Sequence, residues 1–145
     1  MASHKNPPPA VAVLGYGGLI PFAAGALAVL IPGFDGAVFG FTTYAVAILS
    51  FLGGIQWGLI LVEPSPGHPL ERPIVGVLAP LVAAAALFLD PLIGLSLLLV
   101  GFLALLGWEC LRRTPAMPAW YLPLRIRLTG GVAVCLLIVL GRLAY

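Results

Sequence analysis

Residues 37–62 read AVFGFTTYAVAILSFLGGIQWGLILV, a run with no Asp, Glu, Lys or Arg. A helix needs about 20 apolar residues to cross the roughly 30 Å hydrocarbon core of a bilayer, and this run is longer than that. It lacks the alternation of a barrel strand, and a chain segment in lipid must satisfy its own backbone hydrogen bonds, so the run is expected to be a membrane helix. Composition agrees. Of the 145 residues, 61% are hydrophobic and 8% charged, whereas a soluble domain carries about 25% charged residues. So few charges cannot clothe a water-facing surface, and the remaining surface must face lipid.

Four similar runs surround this one, and breakers set the boundaries. Pro32-Gly33-Phe34-Asp35-Gly36 precedes it, and Glu63 with the proline-rich stretch 64–69 follows. Asp90-Pro91 divides an apolar stretch too long for one span. A polar loop holding Arg112, Arg113, Trp120 and Tyr121 precedes the last run. The expected fold is an all-α integral membrane protein, a compact bundle of five transmembrane helices at about 10–31, 37–62, 73–89, 91–110 and 124–145. Residues 1–9, with His4, Lys5 and three consecutive prolines, are expected to be a disordered tail, and 10–145 a single domain. The first run exceeds the apolar part of a usual secretory signal, so it is expected to stay as a helix.

Lys5, Arg72, Arg112, Arg113, Arg125 and Arg127 fall on one side of this topology and Arg142 on the other. Under the positive-inside rule the amino terminus is expected in the cytoplasm and the carboxy terminus in the periplasm. Arg125 and Arg127 are expected to extend their side chains to the headgroups. Basic residues scattered over several loops form no phosphate-tracking stripe, so no nucleic-acid partner is expected. Cys110 and Cys135 lie in different apolar runs and read as buried free thiols.

Enzyme signatures are absent: no HExxH, phosphate loop, GxSxG or pair of intramembrane carboxylates occurs, so no catalytic residue is assigned. His4 and His68 sit in polar loops, and no metal site is expected. A small-solute channel or transporter ranks last, because ionisable residues are missing from mid-span and Pro21 and Pro80 read as simple kinks.

More informative is the second helix. Ser50, Gly54 and Gly58 place small residues on one face, a pattern that lets another helix approach closely; packing within the bundle is preferred over a dimer seam. Gln56, inside the same span, needs a hydrogen-bond partner, with Ser50, Thr42, Thr43, Tyr44 or Tyr16 as candidates by type. The topology also gathers Trp57, Glu63, Trp108, Glu109, Trp120, Tyr121 and Arg125 at the cytoplasmic side. The simpler explanation is an aromatic belt with arginines reaching outward. The sharper one is an interfacial pocket, in which Glu63 or Glu109 pairs with Arg125 and the aromatic residues, with Gln56, hold a lipid or a quinone.

Three stretches carry a resemblance: LGYGGLIPF at 14–22, YAVAILSFLGGIQWG at 44–58 and WYLPLRIRLT at 120–129. Together they resemble the family called domain of unknown function 3429, small membrane proteins of the transmembrane protein 69 type, and the likeness covers nearly the whole apolar region. The resemblance implies a bacterial inner-membrane location for a protein of this kind, and a mitochondrial association for its animal members. Family members often carry histidine where this chain has Gln56, which speaks against a haem ligand or proton relay at that position, since only imidazole ligates iron readily or titrates near neutrality. The function expected is that of a non-enzymatic accessory or assembly partner of a larger membrane complex, respiratory by the mitochondrial association, or a homo-oligomer. The alternative is a lipid- or quinone-binding protein with a cytoplasmic-side pocket and no other cofactor.

Overall fold

The computed structural model describes residues 6–34, 36–62 and 70–145. Within them the chain is helical and contains no strand. The helices are α1 (Pro9–Gly17), α2 (Leu19–Val29), α3 (Ala37–Val62), α4 (Glu71–Ala86), α5 (Pro91–Leu111) and α6 (Tyr121–Ala144). α1 and α2 form one rod over Pro9–Val29, so there are five helical bodies. Four of them, Pro9–Val29, Ala37–Val62, Pro91–Leu111 and Tyr121–Ala144, are long and apolar enough to cross a membrane. The fifth, α4, has 16 residues, about 24 Å of helix at 1.5 Å per residue, which is shorter than the other four.

Local chemistry explains where the helices start and break. Pro21 has no N–H to offer the Gly17 carbonyl, and its ring crowds that carbonyl, so the first rod is interrupted at Gly18. The Tyr44 hydroxyl donates to the Gly18 carbonyl at 2.9 Å and ties the break to α3. At the α4–α5 hairpin, Asp90 Oδ1 accepts from the Leu92 N–H at 3.0 Å, and Pro91 occupies the first helical position. α4 starts two residues before the expected 73, because Pro73 is tolerated in a first turn. α6 starts at Tyr121, not 124, with Pro123 likewise in its first turn.

Sequence neighbours pack side by side, α2 on α3, α3 on α4, α4 on α5 and α5 on α6, and α6 returns to α2 to close a ring. α3 also touches α5 across the middle. The core is aromatic at its centre: Phe22 meets the edges or faces of Tyr44, Phe41 and Phe102 at centroid distances of 4.9, 5.7 and 6.2 Å. Large apolar side chains such as Val13, Ile20, Phe51, Leu61 and Leu81 point outward, while Gln56, Arg72, Glu109, Arg125 and Thr129 are buried. Apolar outside and polar inside is the arrangement a lipid solvent selects.

The helix-packing expectation at Ser50, Gly54 and Gly58 is corrected by one position. A Cβ added at Gly54 or Gly58 meets nothing within 4 Å, so this face looks outward. The close approach is at Gly53, where a Cβ would lie 2.9 Å from the Gly76 carbonyl and from Ala79 and Pro80 of α4. Pro80 cannot donate to the Gly76 carbonyl, which leaves that oxygen facing the α3 backbone. A side chain at Gly94 would likewise run into the Ala86 carbonyl at the α4–α5 hairpin. The cysteines are free, but Cys110 is exposed and Cys135 only half-buried, because both fall on outward-turned parts of their helices.

Gly53→Ala is therefore expected to lower the stability of the detergent-solubilised protein by about 1–3 kcal/mol through overpacking against α4. Gly54→Ala is expected to be neutral or slightly stabilising, since alanine is the better helix former and nothing stands in its way. Reversible unfolding in mixed micelles measures both.

Candidate functional site

Helices α3 and α5 end, and α4 and α6 begin, at the same face of the bundle, and each sends at least one polar side chain inward there. Gln56 lies six residues before the end of α3 at Val62, and Glu109 lies two before the end of α5 at Leu111. Arg72 is the second residue of α4, and Arg125 is the fifth of α6. The four side chains bond in sequence. The Arg72 Nη1 donates to Gln56 Oε1 at 2.8 Å, and Gln56 Nε2 donates to Glu109 Oε1 at 2.7 Å. Arg125 Nε donates to the other oxygen, Glu109 Oε2, at 2.9 Å. Tyr121 adds its hydroxyl to Glu109 Oε1 at 3.1 Å, and Arg125 Nη1 reaches Thr129 Oγ1 at 3.3 Å.

Electrostatics makes this set self-supporting. Glu109 is fully buried, and a lone carboxylate there would carry a large desolvation cost. Three donors and one guanidinium charge offset it. Arg72 also donates from Nη2 to the Arg112 carbonyl at 3.0 Å, where a cation suits the carbonyl end of α5. Its guanidinium lies 4.9 Å from the Trp108 ring centroid, a cation–π contact. Outside the cluster, Arg112 and Glu71 form an exposed ion pair at 3.0 Å.

Several sequence readings change. Gln56 does not use Ser50, Thr42, Thr43, Tyr44 or Tyr16; it bonds Glu109 and Arg72. Thr42 and Thr43 lie about 20 Å back along α3 and bond their own helix at Val38 and Phe39. Arg125 is turned into the bundle, while Arg127 is exposed as expected. Glu109 is the carboxylate that pairs with Arg125; Glu63, His4, His68, Lys5 and Asp35 lie outside the described residues. Trp57 rests beside Gly76 and is half exposed, and Trp120 stands near Tyr121 on the α1 side, so neither indole joins the hydrogen-bonded group. Arg72 and Thr129 were not singled out from the sequence. Arg72 opens a helix at the same face as the other polar residues, which was the available signal.

A cavity of about 150 Å³ lies against this cluster, between the α1–α2 rod, α3, α5 and α6. Among the described residues expected to line a pocket, Arg125 is the one that borders it; Thr129, not among those expected, lies beside it. Trp108 instead borders an apolar groove between α4 and α5, with Val75, Ala79 and Val82.

Gln56→Leu leaves two buried partners short of one bond each and is expected to cost about 1–3 kcal/mol. Gln56→His is expected to cost less than about 1 kcal/mol, because a neutral imidazole also offers one donor and one acceptor. Ser50→Ala serves as the near-neutral control, and unfolding in mixed micelles measures all three.

A profile of the family described as Protein of unknown function (DUF3429) matches residues 7–141. Transmembrane protein 69 of Xenopus tropicalis is 33% identical over 129 residues, covering 86% of this chain and 51% of the relative. Transmembrane protein 69 of Mus musculus is 34% identical over 125 residues, covering 83% and 51%. The chain thus spans about half the length of these curated relatives. No solved structure matches it. With the match running through every described helix, the chain belongs to the DUF3429 family, multi-pass membrane proteins of the transmembrane protein 69 type whose function is unknown.

Proposed function

We propose that the protein is a non-enzymatic membrane protein that takes an amphiphilic small molecule, a lipid or a quinone, laterally from the bilayer. The cavity beside Arg125 carries this reading. Its wall is mostly aliphatic and aromatic, from Leu19, Phe22, Leu52, Phe102 and Val132, with Arg125 and Thr129 as the polar side chains. An apolar chamber with a few fixed polar groups is the usual form of a small-molecule site. Leu14 and Phe51 border it and are largely exposed, so its mouth opens on the lipid-facing surface. The bias of Lys and Arg favours a cytoplasmic position for the polar end, and a bacterial inner membrane is the location that goes with this reading.

A second reading, an accessory or assembly partner of a larger membrane complex, is favoured by a different observation. The outward face at Gly54 and Gly58 is open and small enough to accept a foreign helix. A channel has no comparable support: among the described residues the buried polar side chains gather at one end, with Thr42 the exception.

The test is mass spectrometry of lipids co-purifying with the wild type and with Leu128→Trp, which pushes bulk into the cavity. One defined species is expected to fall about tenfold in the variant, equivalent to 1.4 kcal/mol of lost affinity, with the fold retained. Identical lipid content would sink the binding reading, and a larger particle released from native membrane would transfer the weight to the second.

A further inference from the structure

We infer that the molecule in the cavity beside Arg125 presents a neutral carbonyl-type acceptor on a single six-membered ring, a benzoquinone-class head group, and not the phosphate of a phospholipid. The inference rests on the amphiphile-binding reading and names the chemistry of its ligand.

The guanidinium supplies the first argument. It has five N–H donors in a fixed fork. Nε is used by Glu109 at 2.9 Å and Nη1 by Thr129 at 3.3 Å. Among the described residues, Nη2 is the buried side-chain nitrogen with no hydrogen-bond partner, although the Arg125 side chain is only 7% exposed. A buried charged donor left unsatisfied is costly, and native structures rarely keep one without a reason. Arg125 borders the cavity, so an acceptor oxygen on an occupant, with the guanidinium turned slightly toward it, would supply the missing partner.

Charge decides which acceptor. The guanidinium is already matched by Glu109, which is fully buried and fixed by Gln56 and Tyr121. A phosphate beside Nη2 would place a second negative charge near that carboxylate in a medium of low dielectric, where like charges repel strongly. A neutral carbonyl accepts the same hydrogen bond without that repulsion. Size and lining agree. An apolar cavity of about 150 Å³ is what one benzene ring fills, and this cavity has about that volume with Phe22 and Phe102 in its wall. The mouth between Leu14 and Phe51 lets an alkyl or isoprenoid tail lie along the bilayer.

The probe is a benzoquinone with a ten-carbon tail, added to the full chain in mild detergent. Native mass spectrometry is expected to show one quinone per chain, bound about tenfold more weakly by Arg125→Lys, which keeps a charge for Glu109 but lacks Nη2. Infrared spectra of the wild-type complex are expected to show one carbonyl band moved to lower wavenumber by the hydrogen bond, a readout that needs no variant to fold. Equal binding by Arg125→Lys, an unmoved carbonyl band or no quinone adduct would overturn the head-group assignment. If a phospholipid adduct sensitive to Leu128→Trp is found instead, amphiphile binding stands and the occupant is a lipid; if no adduct responds to Leu128→Trp, both readings fall.

Discussion

A carboxylate inside a membrane bundle persists only when donors reach it from several directions, and Glu109 receives them from three residues on two other helices. Gln56 comes from α3, and Tyr121 and Arg125 from α6, at 2.7, 3.1 and 2.9 Å. Arg72 then ties α4 to the group through Gln56 and through the Arg112 carbonyl. One buried anion thereby fixes the ends of α3, α4, α5 and α6 at a common level. Breaking such a set by removing one member leaves the others desolvated and unpaired, which is the costly case for buried charge. The same constraint sets the orientation of Arg125, and with it the polar wall of the neighbouring cavity.

Lipid provides no hydrophobic force between helices, so the rest of the bundle depends on close packing. Glycine and proline cooperate here. Gly53 and Gly76 let α3 and α4 approach until an added methyl group would collide, and Pro80 vacates the Gly76 carbonyl at the point of contact. Pro21 similarly opens the first rod at Gly18, where Tyr44 takes the carbonyl. Around the centre, Phe22 collects three aromatic rings. The cavity lies between this aromatic centre and the ionic end, bordered by Phe22 on one side and Arg125 on the other.

Much of this was legible in residue order. Apolar runs separated by Pro, Gly and Asp located the helices, since a membrane helix announces itself by length and hydropathy. That topology also gathered Glu109, Tyr121 and Arg125 at one end. What order alone did not reveal was rotation about each helix axis. Gly53 and Gly54 are adjacent in sequence, yet one is pressed against α4 and the other looks outward; a small-residue pattern contains both faces. Arg125 and Arg127 differ in the same way, one turned inward and the other to the surface. Tertiary pairing hid the partners of Gln56, because Glu109 lies 53 residues away and is brought level only by the antiparallel return of the chain.

The central claim is that the Glu109–Arg125 pair, and not either charge alone, organises the polar end. A double-mutant cycle with Glu109→Leu and Arg125→Leu, followed by reversible unfolding in mixed micelles, tests it most directly. Each single change is predicted to cost about 3–5 kcal/mol, and the double change less than their sum by more than about 1 kcal/mol, because the second removes the stranded charge left by the first. Additivity to within about 0.5 kcal/mol would show that the two side chains act independently and would contradict the account.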